Sequence, residues 1–141
     1  MKSKVKSHST MDTAEKVKLI VTRLEDKKAL DVVALNLHGL TPMAEAMVIA
    51  SAHNVRHAQG ASNGVTDMAG EQNLEVLGLE GVRNGQWILL DLNDVLVHIF
   101  QKDVREAVNL EGLWSEAGVM FRSVEDYPDE DAEDDDLEDE D

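Results

Sequence analysis

The sequence has 141 residues, no cysteine and a formal net charge of −16, from 13 basic and 29 acidic residues. This length is typical of one domain with its own core. The lack of cysteine excludes disulfides and thiolate metal sites and favours a cytoplasmic location. No run of about 18 apolar residues occurs, and the lysine-bearing N-terminus lacks the apolar stretch of a secretory signal, so neither membrane association nor secretion is expected.

The negative charge is concentrated at the C-terminal end of the sequence. Residues 125–141 hold 13 acidic residues and no basic one, which leaves a charge of only −3 on residues 1–124. A run of like charges repels itself and buries little, so 124–141 is predicted to be an acidic disordered tail, and 1–11 a disordered N-terminal segment. Direct binding to DNA or bare RNA is not expected of so acidic a chain, whereas a basic protein is a suitable partner.

The first predicted element is an amphipathic helix near 12–28. Apolar residues recur there at helical spacing: Val17, Ile20, Val21 and Leu24. Asp12 and Glu15 resemble a capping box at the start of this helix. Lys16 is expected on its water-facing side.

A second helix is predicted from the N-cap residue Asn54 to about residue 69. Gly60 and Gly64 lie four residues apart within it. Two small residues at this spacing are expected to allow a close approach between the helix and a sheet. Gly70 is expected to end the helix.

Short apolar runs predict five strands, at 31–37, 46–51, 74–79, 86–92 and 95–100. The last two runs flank the polar dipeptide Asn93-Asp94, which indicates a β-hairpin. Both runs are apolar at nearly every position, as in strands whose two faces are covered. The hairpin is therefore expected inside the sheet and not at its edge.

Helical segments at 102–109 and 110–117 complete the order α-β-β-α-β-β-β-α. Helices that flank a five-stranded sheet indicate an α/β (α+β) domain, which is assigned to residues 12–123. The sheet is predicted to be mixed, because hairpin strands are antiparallel while longer connections allow parallel neighbours.

The residues in and after the hairpin form a distinctive series. The series is Glu80-Gly81, Trp87-Ile88-Leu89-Leu90-Asp91, Asp94-Val95, Val97-His98, Arg105 and Leu110-Glu111-Gly112-Leu113-Trp114. It resembles the ribosomal silencing factor family, also called Iojap. Stretches at 31–35, 44–51 and 56–57 support the resemblance, which covers about residues 12–117.

The resemblance implies a nucleotidyltransferase-like fold in a protein that is not an enzyme and needs no cofactor. It further implies binding to the large ribosomal subunit at its ribosomal protein number fourteen, steric blockage of small-subunit joining, and repression of translation. Two positions depart from the family pattern. Glu45-Ala46 stands where the family usually has Asp followed by an aromatic residue, and Val108 stands where it often has Tyr. Both departures are expected to remove aromatic area from the surface.

Six residues are predicted to contact the partner: Trp87, Leu89, Asp91, His98, Arg105 and Glu45. Alternation along the strand places the first three on one face. Trp87 is interpreted either as a core residue or as an interface anchor, because tryptophan is enriched at binding hot spots. Asp91 would then meet a basic residue of the partner.

The remaining polar residues of this region each have a structural interpretation beside the functional one. His98, in an apolar strand, fits a hydrogen-bonded core histidine or an interface contact. Arg105 and Glu111 fit an ion pair or an interface contact. Asp94 is expected to end the hairpin turn, and Trp114 to fill the core at the end of the last helix.

Two other functions are weighed. A metal-dependent nucleotidyltransferase would need clustered carboxylates to hold Mg²⁺, but Asp91 and Asp94 flank a turn and are expected to point apart. His53 and His57 have the spacing of metal ligands without an evident third ligand, so no metal site is predicted. The second alternative is a homodimeric assembly module with a self-complementary apolar face.

Overall fold

The computed structural model describes residue 8 and residues 10–123. The predicted tail at 124–141 and most of the predicted N-terminal segment lie outside the described residues. The elements in chain order are α1 (Thr13–Asp26), β1 (Leu30–Asn36), β2 (Ala46–Ala52), α2 (Val55–Glu71), β3 (Gly78–Glu80), β4 (Trp87–Asp91), β5 (Val95–Gln101), α3 (Lys102–Val108), α4 (Leu110–Leu113) and β6 (Gly118–Arg122).

The strands form one mixed sheet in the order β3-β4-β5-β2-β1-β6. β2 and β5 are parallel, and the other neighbouring pairs are antiparallel. This confirms the α/β (α+β) class and the mixed sheet, and it corrects the strand count from five to six. The missed strand, β6, is a short edge strand whose residues are mostly exposed, so its sequence lacks the alternation that marks a half-buried strand.

The third strand is shorter and later than the predicted 74–79. Leu74 instead closes the end of α2, where its amide donates to the carbonyl of Ala69 at 2.7 Å and its side chain is buried. Ladder pairing with β4 begins at Gly78. An apolar residue that packs under a helix end has the same local signature as the first residue of a strand.

The predicted hairpin is confirmed, and it lies inside the sheet. Trp87 pairs with Phe100 and Asp91 with Leu96 across β4 and β5. The expectation that both strands are covered on both faces is correct for β5 but wrong for β4. Ile88 and Leu90 are buried, whereas Trp87, Leu89 and Asp91 are at least partly exposed. An apolar run does not reveal whether a face is covered by the same chain.

Each face of the sheet supports its own apolar cluster. The larger cluster lies under α1 and α2, and it includes all four residues of the predicted α1 stripe. The smaller one lies under α3 and α4 on the opposite face, around Ile49 and Phe100. Trp114 packs against this smaller cluster, as predicted. No helix formed by residues 10–123 has the length and hydropathy of a membrane-spanning segment.

The start of α1 differs from the prediction in two respects. Asp12 is the N-cap residue, but its side chain makes no capping hydrogen bond, so the capping box is absent. Lys16 does not face water and is buried. Its amine lies 2.5 Å from Oδ1 of Asp94 in the hairpin turn and 3.2 Å from the carbonyl oxygen of Leu92. This distant partner could not be identified from local spacing.

α2 begins as predicted, with the Asn54 side chain accepting a hydrogen bond from the His57 amide at 2.8 Å. It ends at Glu71 and not at Gly70. The left-handed residue that ends it is Asn73, with φ of 57°. Gly64 faces α1 and not the sheet, because a Cβ at that position would lie 3.3 Å from Cγ of Arg23 in α1 and 2.8 Å from Cε of Lys27, the residue that follows α1.

Candidate functional site

The candidate site lies on the sheet face that carries α3 and α4, in the part of that face that these helices leave uncovered. This part is here called the open face. It consists of Trp87, Leu89, Asp91, Leu96 and His98. α3 packs against β5 and β2, and its apolar residues join the cluster around Phe100. On β4, by contrast, every residue that points to this side stays at least partly exposed. The predicted sharing of one face by Trp87, Leu89 and Asp91 is confirmed.

Trp87 and His98 are joined across the open face. Nε1 of Trp87 donates a hydrogen bond to Nδ1 of His98 at 3.0 Å. Trp87 is 40% exposed, whereas His98 is only 6% exposed. Phe100 lies beside both rings, with centroids 5.1 Å from Trp87 and 5.9 Å from His98, and its ring is nearly parallel to the imidazole. The exposed Trp87 ring thus packs against the rings of two buried residues, His98 and Phe100.

The contacts of His98 define its protonation state. Burial lowers the pKa of His98 to about 4, so the ring is neutral at pH 7. Because Nδ1 accepts the indole hydrogen bond, the single proton of the ring is on Nε2. Among the described residues, buried Nε2 finds no hydrogen-bond partner. An unpaired buried donor costs about 1–3 kcal/mol. Of the two ring nitrogens of His98, Nδ1 is hydrogen-bonded and Nε2 is not, so the prediction of a hydrogen-bonded core histidine holds for one nitrogen only.

Two carboxylates, those of Glu80 and Asp91, flank the apolar part of the open face. Glu80 of β3 stands directly opposite Leu89 and is exposed. Asp91 is partly exposed, and its Oδ1 accepts a hydrogen bond from the Asn93 amide at 2.9 Å. Sequence analysis named Glu80 in the family series but did not predict it as a contact residue, because β3 was misplaced and its pairing with β4 was therefore unknown.

Glu45 lies beside the hairpin turn, immediately before β2. Its amide donates to the carbonyl oxygen of Asp94 at 2.8 Å. Its exposed side chain places Oε1 2.7 Å from Nδ1 of His38. Glu45 therefore adds a carboxylate at the end of the sheet where β4 ends and β5 begins.

Arg105 lies apart from the exposed residues of the site. It is 8% exposed, and its Nη1 donates to the carbonyl oxygen of Asp31 and to Oγ of Ser51, both at 2.8 Å. Its Nε and Nη2 bind the two carboxylate oxygens of Glu111 at 3.3 Å and 2.7 Å. The predicted pair of Arg105 and Glu111 is thus present, and it holds α3 and α4 against the sheet.

Neither of the two departures from the family pattern lies at a fully exposed position. Ala46 is completely buried in the cluster under α1 and α2, and Val108 is partly buried against the opposite cluster. The expectation that both departures remove aromatic surface area is therefore wrong for Ala46. Ala46 was expected at the surface, but it belongs to strand β2, which is buried along its whole length.

Asp91 and Asp94 have separate partners. Asp94 accepts hydrogen bonds from Lys16 and Thr13. Burial alone would raise the pKa of Asp94, but these hydrogen bonds and the charge of Lys16 outweigh it and lower the pKa. Within the part of the chain that the structure describes, no three His, Asp or Glu side chains form a candidate metal site.

The rings of His53 and His57 stack with centroids 5.2 Å apart. Both ring nitrogens of His57 are engaged by the main chain. Nδ1 accepts from the His53 amide at 2.9 Å, and Nε2 lies 2.9 Å from the carbonyl oxygen of Lys27. This pair therefore stabilises the start of α2 and its contact with the end of α1.

Comparison with known proteins gives consistent matches. The model of the family described as "Ribosomal silencing factor during starvation" matches residues 10–141. A ribosomal silencing factor RsfS of Halalkalibacterium halodurans is 39% identical over 107 residues, which cover 76% of this chain and 92% of the relative. The protein of the same name from Bacillus subtilis is 35% identical over 101 residues, covering 72% and 86%.

A crystal structure of a Chromobacterium violaceum protein has the same fold, with a TM-score of 0.73 and 32% identity over 74% of this chain and 88% of that one. Sequence and fold together define a regulatory factor of the ribosome-silencing class. The chain belongs to the ribosomal silencing factor (RsfS) family. The resemblance noted from Glu80 to Trp114 is thereby confirmed.

Proposed function

We propose that this protein binds the large ribosomal subunit in the cytoplasm through its open face, at ribosomal protein number fourteen, and sterically blocks joining of the small subunit. Translation is repressed as a result. The observation that carries the proposal is Trp87, an exposed aromatic residue on a sheet face that the described chain leaves uncovered, in a chain of the ribosomal silencing factor family.

The apolar centre of the open face supports its use as a docking surface. Trp87 and Leu89 are adjacent on the same side of β4, and both are at least partly exposed. Energetic hot spots of interfaces are enriched in tryptophan and lie at the centre of a patch with a polar rim. The open face has this organisation, since Glu80 and Asp91 border its apolar residues.

The charge around the open face supports a basic protein as the partner. Glu80, Asp91 and Glu45 are carboxylates that can steer a positively charged surface and fix its register. The net charge of −16 opposes docking on bare ribosomal RNA. Self-association through the same face would bring these carboxylates together, so a homodimer fits this surface less well than a basic partner does.

Steric blockage needs affinity and position but no catalytic group. The hydrogen bonds of Asp91 and Asp94 to separate protein partners suit structural carboxylates. No observation favours the nucleotidyltransferase alternative, which rests on likeness of fold alone.

Co-sedimentation with purified large subunits tests the contact assignment. The variant Trp87→Ala is expected to bind at least 10-fold more weakly than the wild type, since hot-spot truncation costs about 2 kcal/mol or more. Val119→Ala is the matched control. Val119 is also exposed and apolar, but it lies on the edge strand β6, far across the sheet from β4. Wild-type binding by a correctly folded Trp87→Ala protein would show that the open face is not the docking surface.

A further inference from the structure

The hydrogen bond between Trp87 and His98 is not required to satisfy the indole. Trp87 is 40% exposed, so its N–H could bind water if His98 were absent. The bond satisfies Nδ1 of His98, but burial of the imidazole still leaves Nε2 without a hydrogen-bond partner among the described residues. A purely apolar residue at position 98 would avoid that unpaired donor. Stability alone therefore does not explain a histidine here.

The geometry instead fixes the orientation of the indole. His98 is buried in β5, directly opposite Leu89, and its ring stacks on Phe100 with an interplanar angle of 8°. The imidazole is thus itself held by the sheet and by a neighbouring ring. Its Nδ1 offers one acceptor in one direction, and the indole N–H points to it at 3.0 Å.

We infer that His98 is a positioning residue for docking. It holds the Trp87 indole on the sheet with its N–H turned inward, so that the partner meets the carbon surface of the ring and not a hydrogen-bond donor. This inference rests on the proposed function, since it concerns the same surface. A side chain that is oriented before binding loses less conformational freedom on binding, and affinity rises accordingly.

Two substitutions of His98 test separately the role of its hydrogen-bond acceptor, Nδ1, and the role of its aromatic ring. His98→Asn places an amide oxygen near the position of Nδ1, and His98→Phe keeps an aromatic ring over Phe100 but removes the acceptor. Both are made in a Trp114→Phe background, which leaves Trp87 as the single tryptophan, because the sequence has two. His98→Leu serves as a second variant without an acceptor if the phenylalanine variant does not fold.

The first readout uses the free protein and needs no partner. The indole N–H resonance of Trp87 is followed by NMR together with its exchange with water. Protection from exchange is expected in the parent and in His98→Asn, and its loss is expected in His98→Phe and His98→Leu. Equal protection in all four proteins would show that His98 does not hold the indole.

The second readout is affinity for purified large subunits. His98→Phe is expected to bind about 3- to 10-fold more weakly than the parent, and His98→Asn within about 2-fold of it. If folded His98→Phe binds as tightly as the parent while Trp87→Ala binds weakly, the positioning role is wrong and the proposed docking surface stands. If Trp87→Ala also binds normally, the proposed docking surface itself is wrong.

Discussion

The amine of Lys16 in α1 lies 2.5 Å from Oδ1 of Asp94 in the turn between β4 and β5. The same amine donates to the carbonyl oxygen of Leu92, and Thr13 donates to the other oxygen of Asp94. The first turn of α1 is therefore bonded to the hairpin that carries Trp87. This contact fixes one end of the strand on which the proposed docking surface is built.

Removal of the Lys16 amine is expected to destabilise the fold. Lys16→Met keeps an apolar stem of similar length but leaves Asp94 without its cation, and we expect the free energy of unfolding to fall by about 2 kcal/mol. The estimate is moderate because Asp94 retains some exposure and its bond to Thr13. Lys18→Met, at an exposed position of the same helix, is the control. Equal guanidinium unfolding midpoints for the two variants would contradict a structural role for the ion pair.

Two glycines of α2 are expected to respond oppositely to the same substitution. Gly64→Ala introduces a Cβ at 2.8 Å from Cε of Lys27 and should be neutral or destabilising, because the α1 side chains must shift. Gly60→Ala meets nothing within 4 Å and should stabilise the protein by about 0.5–1 kcal/mol through helix propensity. Thermal unfolding measures both. A larger gain for Gly64→Ala than for Gly60→Ala would show that the helices do not pack closely at Gly64.

The stability of the protein is expected to depend on the ionisation of His98. Burial lowers the pKa of His98 in the folded protein to about 4, below its ordinary value of 6.5. The unfolded chain therefore binds more protons between these two values, and stability present above pH 6.5 is lost as the pH falls through 4. Relative to His98→Phe, the wild type should lose on the order of 3 kcal/mol between pH 7 and pH 4. Urea unfolding at a series of pH values measures this difference, and parallel curves for the two proteins would contradict it.

Replacement of Arg105 by lysine is expected to destabilise the fold. Its guanidinium makes four hydrogen bonds to three residues, Asp31, Ser51 and Glu111, and a lysine amine cannot reproduce this planar arrangement. Arg105→Lys should lower the free energy of unfolding by about 2 kcal/mol. Arg122→Lys, on an exposed position of β6, should change it by less than about 0.5 kcal/mol. Similar chemical denaturation of the two variants would remove the structural role assigned to Arg105.

Sequence patterns were sufficient where a signal is local. The apolar stripe from Val17 to Leu24, the N-cap at Asn54 and the two-residue turn before Val95 all depend on neighbours within a few residues. Each of these features is confirmed. Alternation along β4 likewise placed Trp87 with Asp91 correctly.

Sequence patterns failed where the decisive partner is distant in the chain. The burial of Lys16 depends on Asp94, 78 residues away, and the packing of Gly64 depends on Lys27, the residue that follows α1. The expectation that both faces of β4 are covered failed for a related reason. Apolar residues indicate that a sheet face will be buried. They do not indicate whether it is buried by the same chain or by a binding partner.

The central claim is tested most directly by co-sedimentation with separated ribosomal subunits, followed by a subunit-joining assay at moderate salt. The account predicts binding to the large subunit and not to the small one, with joining blocked by the wild type and restored by Trp87→Ala. Binding to neither subunit, or binding to the large subunit that leaves joining unaffected, would contradict it.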